Sequence, residues 1–216
     1  MSAIVERIAG AISAKSRTKK WLQFLHWSQT TPSTTIVDIG VNTHEYSNND
    51  NLLEQLYGYP ENITAVGLEP DWTEFRSRYP QVTTKTADGT RLPFADQSFD
   101  IAYSNAVIEH VGDQEKQRSF LQEMKRVAKR GYLTTPNRLF PIEVHTRIPF
   151  LHLLLPKRGF DWFLRKIDKG WAADDYMHLL SEQDLHTLLQ EAKIENYTLV
   201  KNRFCGFPMT FTVYWG

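Results

Sequence analysis

Short β-branched apolar runs alternate along this chain with longer segments of helical spacing. Five runs read as strands: Thr35 to Ile39, Ile63 to Leu68, Val82 to Ala87, Phe99 to Ser104 and Gly131 to Thr135. Between them, Leu52, Leu53, Leu56 and Tyr57 mark one helix, and Phe120, Leu121, Met124, Val127 and Ala128 form the apolar stripe of another, spanning Glu115 to Lys129. Asp71, with Glu74 at capping-box distance, predicts a helix that Tyr79-Pro80 stops, and Ser181 with Asp184 predicts a second cap ahead of Leu185, Leu188, Leu189 and Ala192. Two last strands, about Tyr197 to Asn202 and Met209 to Tyr214, pair as a hairpin around Gly206 and Pro208. Ahead of the first strand, Ile4, Val5, Ile8, Ala9 and Ile12, then Trp21, Leu22, Phe24, Leu25 and Trp27, predict one or two helices separated by a basic break at Lys15 to Lys20. They are expected to pack on the sheet, or to cover a ligand.

Repeated strand-helix alternation predicts an α/β fold: a doubly wound, mostly parallel, seven-stranded sheet covered on both faces. Residues 1–30 form an N-terminal helical cover, 31–137 the core, 138–178 a helical insertion before the last two strands, and 179–216 the final helix and terminal strands, all in one domain. In such sheets ligands sit at the carboxyl ends of the strands, where strand order reverses. Three strand ends carry a glycine or an acid there, at Gly40, Glu69 and Asp88.

Composition narrows the function classes. Lysine plus arginine equals aspartate plus glutamate at 25 each, which removes any overall electrostatic pull toward nucleic acid or an anionic membrane. A single cysteine, Cys205, excludes an intrachain disulfide framework. Glu6 and Arg7 interrupt the first apolar run, unlike a signal peptide, and no apolar stretch reaches membrane-span length, so a soluble, cytoplasmic protein is expected. A nicotinamide site needs closely spaced glycines after the first strand, and only Gly40 stands there.

Several motifs in order resemble the class I methyltransferases that use S-adenosylmethionine (SAM). They are Val37-Asp38-Ile39-Gly40, Leu68-Glu69-Pro70, Ala87-Asp88-Gly89 through Leu92-Pro93-Phe94 with Ser98-Phe99-Asp100, and Asn105-Ala106-Val107-Ile108-Glu109-His110-Val111. More narrowly, Ile63 to Gly67, Glu109 to Gly112, Thr134 to Arg138 and Phe140 to Thr146 resemble a poorly characterised bacterial type-11-like branch often associated with glycan assembly. One departure stands out: the loop after Gly40 reads Val41-Asn42-Thr43-His44-Glu45, without the further glycines usual there. Asn42 is expected to stand in for glycine, since asparagine tolerates left-handed backbone.

The resemblance implies SAM as cofactor and assigns roles. Backbone groups of Gly40, Val41 and Asn42 would face its amino-acid end, with Asp38 orienting the loop or reaching the ammonium through water. Glu69, beside Pro70, would accept from the ribose hydroxyls, Asp88 from the adenine amino group with Gly89 nearby, and Asn105 and Ala106 would pass beneath the sulfonium. Each acid has a plainer reading as a cap or loop residue. His110 and His145 are candidates for removing a proton from an acceptor hydroxyl; Glu109 and Glu143 would orient them or bind acceptor. Glu109, His110 and His145 also make a weaker divalent-metal alternative, and no metal is expected.

In the insertion, Phe150, Trp162, Phe163 and Trp171 beside Lys157, Arg158, Arg165 and Lys166 suit a sugar, a phosphate-bearing carrier or a lipid head group, or simply a satellite core with a basic face. The expected partner is a small-molecule or glycan-type acceptor, with membrane-surface contact as a hypothesis. The competing reading is a methyltransferase-like binding domain whose SAM site is altered or lost.

Overall fold

The computed structural model describes residues 3–45, 50–143, 146–173 and 177–216, with side chains from residue 14 on. Helix α1 (Ala3–Ser28) comes first and is a single uninterrupted helix. Lys15 to Lys20 do not break it, because lysine and arginine are good helix formers. Then follow β1 (Ile36–Ile39), α2 (Leu52–Leu56), β2 (Ile63–Gly67), α3 (Thr73–Arg78), β3 (Thr83–Thr86), β4 (Phe99–Asn105), α4 (Gln114–Val127) and β5 (Ala128–Pro136). The insertion supplies α5 (Leu151–Leu154) and α6 (Lys157–Lys166), and α7 (Glu182–Glu191), β6 (Tyr197–Phe204) and β7 (Phe207–Trp215) complete the chain.

The seven strands lie in the order β3-β2-β1-β4-β5-β7-β6, with β7 antiparallel to both neighbours and the other pairings parallel. Strand order reverses between β1 and β4, which makes the gap beyond their carboxyl ends the natural ligand crevice. One face packs Ile39, Phe120, Leu121, Met124, Leu185 and Leu189 under α4 and α7. The other is aromatic: Phe24 of α1 stands edge-on to Tyr103 and Tyr132, at 5.1 and 5.2 Å between ring centroids.

Helix α1 runs antiparallel to β5. Near its C-terminus the Ser28 carbonyl accepts from Arg130, whereas Lys20 reaches Thr134 at the other end of that strand. At 1.5 Å rise per residue, the part of α1 ahead of Lys20 is roughly 25 Å long, and its Lys15 to Lys19 stretch lies beside the β6–β7 hairpin.

Both cap predictions meet a definite outcome. At Ser181 the box forms, with Asp184 N–H donating to the serine hydroxyl and Ser181 N–H to the aspartate carboxylate. At Asp71 it does not: α3 starts at Thr73 after the buried Trp72, Asp71 accepts from the Thr73 N–H, and Glu74 turns to His44 and Arg78. The insertion has its own small core, Phe160, Leu164, Ala172, Ala173 and Met177, while Phe150, Trp162 and Trp171 stay exposed.

Candidate active site

Gly40 ends β1 at φ +97°, and a Cβ there would lie 2.4 Å from the Val107 side chain, so only glycine fits. The polar loop beyond it is tied inward. Gly40 and Val41 N–H both donate to the Val66 carbonyl, at 2.8 and 3.1 Å. Asn42 N–H donates to Asn51 Oδ1, and Asn51 Nδ2 donates back to the Asn42 carbonyl. Asn51, not Asn42, takes the left-handed conformation, at φ 52°. Further along, Glu45 accepts from Asn51 and Tyr79 and pairs with Arg78, and His44 meets Glu74. A side-chain clamp thus does what glycines do elsewhere, and it occupies the backbone donors of residues 40–42 that were expected to face a ligand.

Asp38 is buried behind this loop beside Glu54, a partner that sequence reading missed. Burial, then the neighbouring carboxylate, raises the Asp38 carboxyl well above the ordinary range, and burial raises that of Glu54 to about 7. The pair therefore keeps protons well above the usual carboxylate range, with Glu54 about half protonated near neutral pH.

The next two strand ends open to solvent. Leu68, Glu69 and Pro70 follow β2 and are exposed, and the Glu69 carboxylate has no protein partner among the described residues. Asp88 is also exposed. Its Oδ1 accepts from the backbone and hydroxyl of Thr90, closing a turn, and its Oδ2 has no hydrogen-bond partner among the described residues. Gly89 answers to packing, since a Cβ would stand 2.6 Å from Phe120.

At the end of β4, Asn105 Oδ1 accepts from Thr134 Oγ1 at 2.6 Å and from the Lys20 ammonium at 3.0 Å; Lys20 Nζ also donates to Thr134 Oγ1 at 3.2 Å. Lys20 was not singled out from the sequence, where it falls in the basic break at Lys15 to Lys20. It is 8% exposed, and burial, then Arg17, pushes its pKa down to about 8. Ala106 follows at φ 60°, strained for a residue with a side chain, and its N–H donates to the Thr134 carbonyl.

Of the acceptor-side candidates, His110 is half-buried and ends the 3₁₀ turn Ile108–His110, in the segment that follows Asn105 at the end of β4. Glu109 is wholly buried: its carboxylate accepts from Thr135 Oγ1 and its carbonyl from His178 N–H. Glu143 is buried too, its carboxylate accepting from the Thr146 N–H, and it lines the cavity described below. His145 lies outside the described residues. Trp162 is exposed on α6, with Lys166 5.9 Å from its ring, and does not line the cavity below. No three metal-ligating side chains gather among the described residues.

That cavity, about 430 Å³, opens between the insertion and the N-terminal ends of α4 and α7. Gln114, Gln117, Arg138, His152, Phe160 and His178 line it, and its charges are largely balanced, Arg138 by Asp184 and Lys157 by Asp161. Leu155, Met177, Leu180 and Leu188 complete the wall, so the lining is mixed polar and apolar.

Residues 37–134 match a family described as "Methyltransferase domain". Over 67 residues the chain is 40% identical to two probable S-adenosylmethionine-dependent methyltransferases of Mycobacterium tuberculosis, a stretch covering 30% of this chain. The chain thereby spans about a quarter of the length of these relatives, 23%. Among solved structures, a SAM-dependent methyltransferase from Methanosarcina mazei superposes with a TM-score of 0.60 at 19% identity, covering 88% of this chain and 94% of that one. One from Mesorhizobium loti gives 0.57 at 15%, covering 87% and 93%. The fold is the Rossmann-like methyltransferase fold, and the family model, the two relatives and these two structures are each described as methyltransferases.

The fit of SAM divides at its sulfur. Exposed, unpartnered carboxylate oxygens at Glu69 and Asp88 suit the hydroxyls and amino group of an adenosine. The backbone donors nearest the amino-acid end are already committed.

Proposed function

We propose that the protein transfers the methyl group of SAM to a hydroxylated small-molecule or glycan-type acceptor. The observation that carries this is the pair of exposed acids, Glu69 and Asp88, at neighbouring strand ends beside the β1/β4 switch point. Glu69, flanked by Pro70, binds the ribose diol; Asp88, held by its turn next to Gly89, takes the adenine amino group; Asn105 and Ala106 underlie the sulfonium; and the Gly40-Val41-Asn42 turn, propped by Asp38, forms the wall. SAM supplies a methyl group on an already activated leaving group, so the protein's task is alignment and exclusion of water. The acceptor enters from the cavity under the insertion, and His110 or His145 takes the hydroxyl proton. Glu109 acts as a positioning residue, through Thr135 and the backbone of His178.

Calorimetry with S-adenosylhomocysteine, the demethylated product, tests the reading, followed by an acceptor screen with labelled SAM weighted toward sugars. Glu69→Ala is expected to weaken binding about 10- to 100-fold with no change in melting temperature, because the side chain is exposed and makes charge-assisted bonds only to ligand. Unchanged affinity would remove the ribose assignment. A second reading, a methyltransferase-like domain that no longer binds SAM, is favoured by the committed donors of residues 40–42. Failure of the product to bind at millimolar concentration would select it.

Among the described residues no helix is long and apolar enough to cross a membrane. Exposed Phe150, Leu154, Trp162 and Trp171 beside Arg158, Arg165 and Lys166 support contact of the insertion with an anionic membrane surface. Co-sedimentation no greater with anionic than with neutral vesicles would exclude it.

A further inference from the structure

The turn of α1 from Arg17 to Lys20 bridges the crevice. Arg17 pairs with Asp50 at 3.5 Å, just ahead of α2, and Lys20 bonds Asn105 and Thr134 at the ends of β4 and β5. Lys20 is the unusual member. Its ammonium is buried, yet the two groups it bonds are neutral oxygens, and its third N–H has no partner among the described residues. A buried cation without an anion in contact is costly. Glu109, the acid that acts on it electrostatically, is already bonded to Thr135. On the ligand side the need is opposite: the methionine carboxylate of SAM requires donors, and the N–H groups of Gly40, Val41 and Asn42 are spent on Val66 and Asn51.

We infer that Lys20 binds the methionine carboxylate of SAM, supplying from α1 the donor and the charge that the clamped loop withholds. The inference rests on the SAM reading above and adds to it a residue and a direction. The amino-acid end of the cofactor turns toward α1, and the first helix is part of the cofactor site rather than only packing on the sheet. Tyr132 fixes the placement, its hydroxyl donating to the Lys20 carbonyl at 2.7 Å.

The experiment compares two ligands by calorimetry: S-adenosylhomocysteine and its decarboxylated analogue S-adenosyl-3-thiopropylamine, which differ only in the carboxylate. Lys20→Met keeps side-chain length and apolar stem, and Lys20→Gln is a polar second variant in case the first does not fold. Wild type is expected to prefer the carboxylated ligand by about 10- to 100-fold, and either variant to lose that preference while binding the decarboxylated analogue as wild type does. Equal loss for both ligands would make Lys20 a structural support of Asn105 and overturn the inference. So would a preference that survives in the variants. If wild type binds neither ligand, the SAM reading itself falls and the inference with it, an outcome distinct from the other two.

Discussion

Asp38 and Glu54 are two acids placed where burial makes their charge expensive, and the protein responds by holding protons there. Because the folded pKa of Glu54, about 7, lies above its ordinary 4.5, the folded state binds more protons than the unfolded one between those values. Stability from this group is thus fully present below pH 4.5 and is lost as pH rises through about 7. The raised Asp38 adds in the same sense. Thermal melts should show wild type losing stability from pH 5 to pH 8, by an amount on the order of 3 kcal/mol. Glu54→Gln should remove the part of that fall that Glu54 contributes and be the more stable protein at pH 8. Parallel curves for the two proteins would mean that the pair is not protonated as described.

Among the elements, the loop after β1 illustrates how one conformational requirement can be met by different chemistry. Repeated glycines would let the backbone turn freely. Here Asn51 occupies the left-handed region itself and holds Asn42 and Glu45 through its side chain. Asn51→Gly keeps the allowed backbone and loses the clamp, so it should cost about 1–2 kcal/mol. Asn51→Ala loses the clamp and adds left-handed strain of roughly 1 kcal/mol more. Melting temperatures should fall in the order wild type, Gly, Ala, at about 2–4 °C per kcal/mol for a chain of this size. A glycine variant as stable as wild type would show that the clamp contributes nothing net. Of this loop the sequence disclosed the polar composition and the single glycine; it did not disclose which asparagine turns left-handed, because that depends on where α2 sits.

At the scale of the whole molecule, α1 couples the aromatic face of the sheet to the crevice. Phe24 is fully buried between Trp21, Trp27, Tyr103 and Tyr132, one helical turn from Lys20. Phe24→Ala should cost about 3–5 kcal/mol and lower the melting temperature by on the order of 10 °C. If α1 belongs to the cofactor site, binding of S-adenosylhomocysteine should weaken in the same variant at temperatures where it is still folded. A variant with a lowered melting temperature and unchanged affinity would separate the helix from the crevice.

What the chain alone determined follows from local periodicity. Strand runs of period two, helical stripes, the Ser181 cap and the acids that end β2 and precede Thr90 depend on neighbours a few residues away, and they set the α/β architecture and the row of strand ends. Lys20 with Asn105, Asp38 with Glu54 and Asn42 with Asn51 were decided only by tertiary structure. In each case a polar side chain draws its meaning from a group on another element, and burial, which sets the energy of that pairing, is not a property of any short stretch of sequence. The same reason separates Ser181, whose cap forms within one turn of helix, from Glu74, which had the spacing of a cap and was taken by His44 and Arg78 instead.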